Sequence, residues 1–125
     1  MKPKDIGQKG EDLSAKYLIA LNYEIITTNY HSRFGEIDLI ALDKSVAQFE
    51  IVFVEVKTRT DLNYGSPQEA VTFQKRQRLI KTALHFLNQS SPKIARSWRI
   101  DLIAIILDGK GHLKKLQHFK NILNG

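Results

Sequence analysis

The 125-residue chain has no cysteine, only three prolines, and a single tryptophan and methionine. Without cysteine there is neither a disulfide framework nor a thiolate metal site, which suits a reducing compartment. No apolar run reaches the roughly 18–20 residues that span a bilayer. The opening residues, MKPKDIGQKG, contain no apolar segment of the secretory kind, so the expected setting is cytoplasmic, away from membranes. A phosphate-cradling glycine-rich loop and a Ser/His/Asp arrangement are both missing, which sets aside P-loop and triad chemistry. The four histidines fall at no metal-ligand spacing and are expected at the surface.

Positive charge is what the chain has in excess. Nineteen Lys and Arg stand against thirteen Asp and Glu, a net charge of +6, and the sequence pI is about 9.6. A pI above about 9 is the electrostatic footprint of nucleic-acid binders, although it also keeps many proteins soluble. Hydrophobic residues at 42% and charged residues at 26% are ordinary for a folded domain. The length suits one domain over residues 1–125, with no linker or low-complexity tract.

Periodicity orders the elements as αβββαββ. Asp5 with Gln8 makes a capping-box pattern that predicts a first helix from Asp5, with Ile6, Leu13, Tyr17, Ala20 and Leu21 on its apolar face. YEIITTNY, GEIDLIALD and FEIVFVEVK read as three strands, the first two joined by a basic turn, His31–Phe34. Ser66-Pro67-Gln68-Glu69 predicts a helix start, with a possible second start capped by Thr72. The second helix carries Ile80, Leu84 and Leu87, flanked by Leu79, Ala83 and Phe86, as its apolar stripe. WRIDLIAIIL is a fourth strand and HLKKLQHFKNI a fifth, the last also compatible with helical spacing. Near-continuous apolar runs in strands three and four predict burial on both sheet faces. The fold class is therefore α/β, a mixed sheet of about five strands flanked by helices.

Two charges interrupt the third strand. Alternation puts Ile51, Phe53, Glu55 and Lys57 on one face, with Glu55 and Lys57 about 6.7 Å apart at roughly 3.3 Å per residue. Asp38 shares a face with Ile40 and Leu42, and meander pairing of strands two and three would let it face Glu55. Two carboxylates about 4 Å apart repel by roughly 4 kcal/mol at an effective dielectric of 20. With Glu11 at the edge of the first helix's stripe there are three acids for one lysine, an imbalance that a divalent cation with hard oxygen ligands would resolve. The bland alternative is a strand-end ion pair contributing about 0–1 kcal/mol. RIDLIAI repeats EIDLIAL, so on local sequence Asp101 competes with Asp38; a structural role beside Arg96 or Arg99 is the other reading of Asp101.

These residues carry a resemblance. GEIDLI followed by FVEVKTR resembles the PD-(D/E)xK nuclease superfamily, whose fold is restriction endonuclease-like. The pieces GQKGED, NYHSRFGEIDLIALD, FVEVKTR, YGSPQEAV, KRQRL and RIDLIAI, from Gly7 to Ile105, resemble more closely the bacterial YraN-like family, grouped with archaeal Holliday-junction resolvases. Three departures are visible: Glu36-Ile37 in place of a Pro before the Asp, a slightly long Asp43–Glu50 connection, and Phe73 where the family often has Pro.

The resemblance implies Mg²⁺ (or Mn²⁺) held by Asp38, Glu55 and the Val56 carbonyl, with Glu11 holding a second ion or a bridging water. It implies Lys57 as the residue that orients water or stabilises phosphorane charge. A solvated helix acid is the equal alternative for Glu11. Lys75 and Arg78, with Arg76, Arg33 and Arg59, are the candidate nucleic-acid contacts; a solvated basic face is the plain alternative. Arg76 is the odd one, falling within the apolar arc of its helix. The implied activity is phosphodiester hydrolysis in branched or structured DNA, and a homodimer would match the two-fold symmetry of a junction. The rivals are a binding module that keeps the fold without cleavage, and a protein-interaction adaptor.

Overall fold

A computed structural model describes residues 2–61, 71–89 and 97–124. The elements are α1 (Pro3–Ala20), β1 (Tyr23–Ser32), β2 (Gly35–Asp43), β3 (Glu50–Thr60), α2 (Phe73–Gln89), β4 (Ser97–Leu107), β5 (Leu113–Phe119) and a closing 3₁₀ turn, Ile122–Asn124. The expected order αβββαββ is the order observed, and the Leu113–Phe119 segment is a strand.

One mixed sheet runs β1-β2-β3-β4-β5. All neighbours are antiparallel except β3 and β4, which are parallel and joined through α2. A parallel pair needs a crossover, and α2 lies in it. Both faces of the central strands are covered, as their apolar runs require: Ile51–Glu55 and Arg99–Ile105 are buried without alternation. On the α1 face, Leu18 packs with Leu39, Ala41, Val52, Val54, Ile103 and Ile105. On the α2 face, Leu79 and Ala83 pack with Ile40, Ile51, Phe53 and Ile100.

α1 is rotated part of the way from its expected face, with Ile6, Leu13 and Tyr17 left to flank the buried stripe, whereas α2 packs its expected stripe apart from Leu84. α1 starts at Pro3, with Lys2 as an N-cap that makes no side-chain bond. Proline suits that first turn because its missing N–H has no partner there anyway. The Asp5–Gln8 capping box does not form; Gln8 Nε2 donates to Asp12 Oδ1 at 2.9 Å instead. The buried stripe of α1 is Gly10, Ser14 and Leu18, while Leu21 is left 44% exposed. In α2 the buried residues are Leu79, Thr82 and Ala83, and Leu84 is 45% exposed. Thr82 tolerates burial because its hydroxyl donates to the Arg78 carbonyl at 2.7 Å. The Thr72 cap is observed: its Oγ1 accepts from Lys75 N–H at 3.1 Å. The proposed start at Ser66 and the pairing with Arg96 lie outside the described residues.

Small residues set how closely α1 approaches the sheet. A Cβ on Gly10 would sit 1.7 Å from Thr58 Oγ1, 2.8 Å from its Cβ and 2.9 Å from its Cγ2. No Thr58 rotamer relieves all three contacts, so only glycine permits this approach. Helix propensity alone would make Gly10→Ala stabilising by about 1 kcal/mol. Overpacking costs about 1–3 kcal/mol, so the expected net result is a lower melting temperature. An unchanged or raised one would show that α1 backs off freely.

Candidate functional site

The site begins where a ladder stops. β2 and β3 pair from Asp43↔Glu50 to Leu39↔Val54, and no further. β3 then continues to Thr60 paired only with β4. In the gap, the Val56 N–H, left without a strand partner on that side, donates to Asp38 Oδ2 at 2.7 Å. A carboxylate thus takes the place of a main-chain carbonyl, which satisfies a backbone donor while holding Asp38 at the opening of the sheet.

Glu55 is on the same face as Asp38, as alternation predicts. It is only 8% exposed, and Lys75 Nζ from α2 lies 2.9 Å from its Oε1. Lys75, a candidate for phosphate, lines both clefts and in this structure gives the acid its counter-charge. Two adjoining clefts share Glu55 and Lys75. One, about 280 Å³, is lined also by Gly35, Glu36, Asp38, Arg78 and Leu79. Gly35, at φ +148°, follows the tight Arg33–Phe34 turn and sits where a side chain would strain the backbone. The other, about 550 Å³, is lined by Glu11, Val56, Lys57, Thr58 and Arg59, among others.

The acids feel one another. Burial, and then the charge of Asp38, push Glu55 above the usual carboxylate range, against the pull of Lys75 and Lys57. Burial chiefly raises Asp38, against the Val56 N–H and Lys75, with Glu36 adding to the rise. Burial raises Glu11 as well, followed by the charge of Asp38. Glu11 Oε1 is buried without a hydrogen-bond partner among the described residues. Three desolvated carboxylates coupled through Asp38, one with an orphaned oxygen, are the donor chemistry a hard divalent cation takes. The set is not closed: no three His, Asp or Glu side chains of the described residues are grouped tightly enough to grip an ion.

The remaining candidates divide. Arg78 and Arg59 line the two clefts, whereas Arg33 lies exposed on the turn, its guanidinium 4.9 Å from the Phe34 ring centroid. Arg76 turns away from both clefts into a separate cavity with Lys120 and Asn121. Sequence reasoning missed the Lys75 partnership; its only signal was a surplus of acids, which named no particular lysine. It also missed the contribution of Gly10, whose helix packing places Glu11 beside the gap.

Asp101 belongs to a different structure, on the α1 face. Arg99 donates to Asp101 Oδ1 at 3.0 Å, to Glu50 Oε1 at 2.9 Å and to the Tyr23 hydroxyl at 2.8 Å. Its Nη2 also lies 3.0 Å from Asp43 Oδ2. That oxygen has no partner of hydrogen-bond geometry among the described residues, so this contact is one of charge. His118 Nε2 is 2.7 Å from Asp101 Oδ2, and Tyr17 closes on His118 Nδ1 at 2.9 Å. The expectation that all histidines lie on the surface is therefore wrong for His118, whose side chain is 5% exposed. Ring carbons let imidazole join an apolar core when both nitrogens find partners.

No described helix is long and apolar enough to cross a membrane. The chain is similar to the UPF0102 protein of Rhodococcus opacus, at 44% identity over 93% of each chain. It is also similar to that of Caldicellulosiruptor bescii, at 39% over 97% of this chain and 98% of the relative. A third UPF0102 protein, from Chloroherpeton thalassium, is 46% identical over 82% of this chain and 75% of its own. A family model described as "Uncharacterised protein family UPF0102" matches residues 10–105, a span that holds Glu11, Asp38, Glu55, Lys57 and Lys75. The chain belongs to the UPF0102 family, the YraN-like group its motifs resemble.

Proposed function

We propose that this protein hydrolyses phosphodiester bonds in branched or structured nucleic acid, DNA foremost, with the help of Mg²⁺ or Mn²⁺. The observation that carries the reading is the gap between β2 and β3. There Glu11, Asp38 and Glu55 are desolvated and raised together, with Lys57, Arg59, Lys75 and Arg78 along the rims. Asp38, Glu55 and the Val56 carbonyl, with Glu11, are the groups that would hold the cation. A cation so held supplies a Lewis acid for a phosphoryl oxygen and lowers the pKa of water.

The chain's own residues do the rest. Lys75 balances Glu55 and, lining both clefts, would offer its ammonium to a phosphate that enters them. Lys57 extends from the same strand face as Glu55, placed to orient a nucleophile and to meet developing charge. Arg78 and Arg59 offer phosphate contacts on either side of the acids. The second reading, a non-catalytic nucleic-acid-binding module, is favoured by the 2.9 Å Lys75–Glu55 pair, which gives Glu55 a counter-charge without any metal.

Thermal melting with and without Mn²⁺ tests the cation site. The wild type should gain stability in proportion to RT ln(1 + [L]/Kd), about 2.7 kcal/mol at a hundredfold excess over Kd. Asp38→Asn with Glu55→Gln should abolish that gain. The metal-free double variant should remain folded, and no less stable than wild type, because groups raised by burial and repulsion weaken the fold when ionised. A metal response that survives both substitutions sinks the assignment.

A further inference from the structure

Arg76 is a basic residue of α2 that lines neither acid cleft. It borders a cavity of about 390 Å³ lined by Val71, Arg76, Leu102, Phe119, Lys120, Asn121 and Ile122. Its Nε is buried and has no hydrogen-bond partner among the described residues. Leaving a buried donor of a charged group unsatisfied is costly, so a cavity wall that does so is built for an acceptor. Another part of the lining is anchored by a backbone bond. Asn121, at φ +55°, donates its N–H to Asp101 Oδ1 at 2.9 Å, which ties this turn to the buried charge cluster.

The cavity and the acid cleft lie in one row. Register sets Glu55 beside Leu102 and Leu102 beside Phe119, all on the α2 face. Two strand spacings, roughly 10 Å, separate Glu55 from Phe119, a distance within reach of a neighbouring nucleotide on an extended strand. The chemistry of the lining is that of an anion joined to a flat apolar body. Phe119 and Ile122, both half-buried, offer a surface for stacking over the buried Leu102, and Arg76 and Lys120 offer two cations. The volume falls in the range of sites that enclose a small ligand.

We infer that this cavity is a subsite for one unstacked nucleotide flanking the phosphate at the acid cleft, its base on Phe119 and Ile122 and its phosphate between Arg76 and Lys120. The inference rests on the nucleic-acid reading above and adds to it a requirement for an unpaired base.

Two measurements on the full chain test it. In the first, fluorescence anisotropy compares duplexes with a single unpaired nucleotide against duplexes with an abasic residue at that position. Wild type should prefer the base-bearing probe by about tenfold, the scale of stacking one base on apolar side chains. Arg76→Gln with Lys120→Gln should lower the slope of log affinity against log salt by about 0.7 for each phosphate no longer neutralised. In the second, the NMR signal of Arg76 Nε–H is followed while a deoxynucleoside monophosphate is added. The signal should move with the nucleotide and stay in place with the nucleoside alone. Equal affinity for base-bearing and abasic probes, or an unmoved Arg76 signal, overturns the subsite. Failure to bind any nucleic acid, with the Arg76 signal still shifted by the mononucleotide, would instead overturn the nuclease reading and leave a nucleotide site.

Discussion

Lys57→Ala is expected to cut phosphodiester turnover by about 10²–10³-fold, the loss seen when one charge-stabilising donor is removed. Affinity for a branched substrate should change only a few-fold. The contrast between two lysines explains why. Lys75 is committed to Glu55 at 2.9 Å. Lys57 has no carboxylate partner at ion-pair distance among the described residues, yet lies near enough to pull Glu55 downward. It lines the larger cleft beside Glu11, Val56 and Arg59, so its charge is available to a reacting group. Ground-state affinity depends little on it, because it is one cation among several along the cleft. The assay runs wild type and variant in parallel on four-way junctions, flaps, single strands and structured RNA, with Mg²⁺ or Mn²⁺. If metal-loaded wild type cleaves none of these beyond the Lys57→Ala background, the enzyme reading is abandoned and the binding module leads.

Arg99→Met is expected to cost about 3–5 kcal/mol, the range for leaving buried charges without their partner. That is a large part of the 5–15 kcal/mol that holds a typical domain together. Arg99 meets Asp43, Glu50 and Asp101 at once, and Asp43 and Asp101 are fully buried. Burial also pushes the Tyr23 hydroxyl up to about 12, despite Arg99 nearby, so the tyrosine stays neutral and accepts the guanidinium's bond. Adding Asp43→Asn and Asp101→Asn should recover part of the loss, since the deficit is uncompensated charge rather than volume. Urea denaturation gives the comparison; a loss below about 1 kcal/mol would show that water reaches the cluster.

The same cluster sets the acid limit of the fold. Burial works to raise Asp43 and Asp101. It is outweighed by the Ser45 hydroxyl and N–H and then Arg99 for Asp43, and by His118, the Asn121 N–H and Arg99 for Asp101. Both therefore fall below the usual carboxylate range. A lowered carboxylate adds stability that is present above its unfolded pKa and disappears as pH drops through the folded one. Glu11, Asp38 and Glu55 have the opposite sign, because the folded state binds their protons more readily. Mild acidification from neutrality towards the ordinary carboxylate range of about 4 should therefore relieve the cleft first. Collapse follows at lower pH, where Asp43 and Asp101 protonate.

What could be read along the chain was whatever depends on local period. Alternation in FVEVK placed Glu55 on one face with Phe53, and the same rule placed Asp38 with Ile40; both survive because a strand's side chains alternate whatever surrounds it. The unbroken apolar runs of β3 and β4 announced two covered faces for a similar reason. Choosing between Asp38 and Asp101 lay beyond such rules, because EIDLIAL and RIDLIAI are locally equivalent. The structure separates them by face, one beside Glu55 and the other bonded to Arg99 and His118. The rotation of α1 onto Gly10, Ser14 and Leu18 was equally hidden, since which face packs depends on how near a second element can come. Here that distance is set by Thr58, 48 positions away in the chain (58 − 10). Charge partners were the least legible of all. Lys75 meets Glu55, and Val56 N–H meets Asp38, because a ladder ends at Leu39↔Val54. Electrostatic and hydrogen-bond partners are chosen by distance in space, and folding alone brings residues so far apart in sequence within 3 Å of each other.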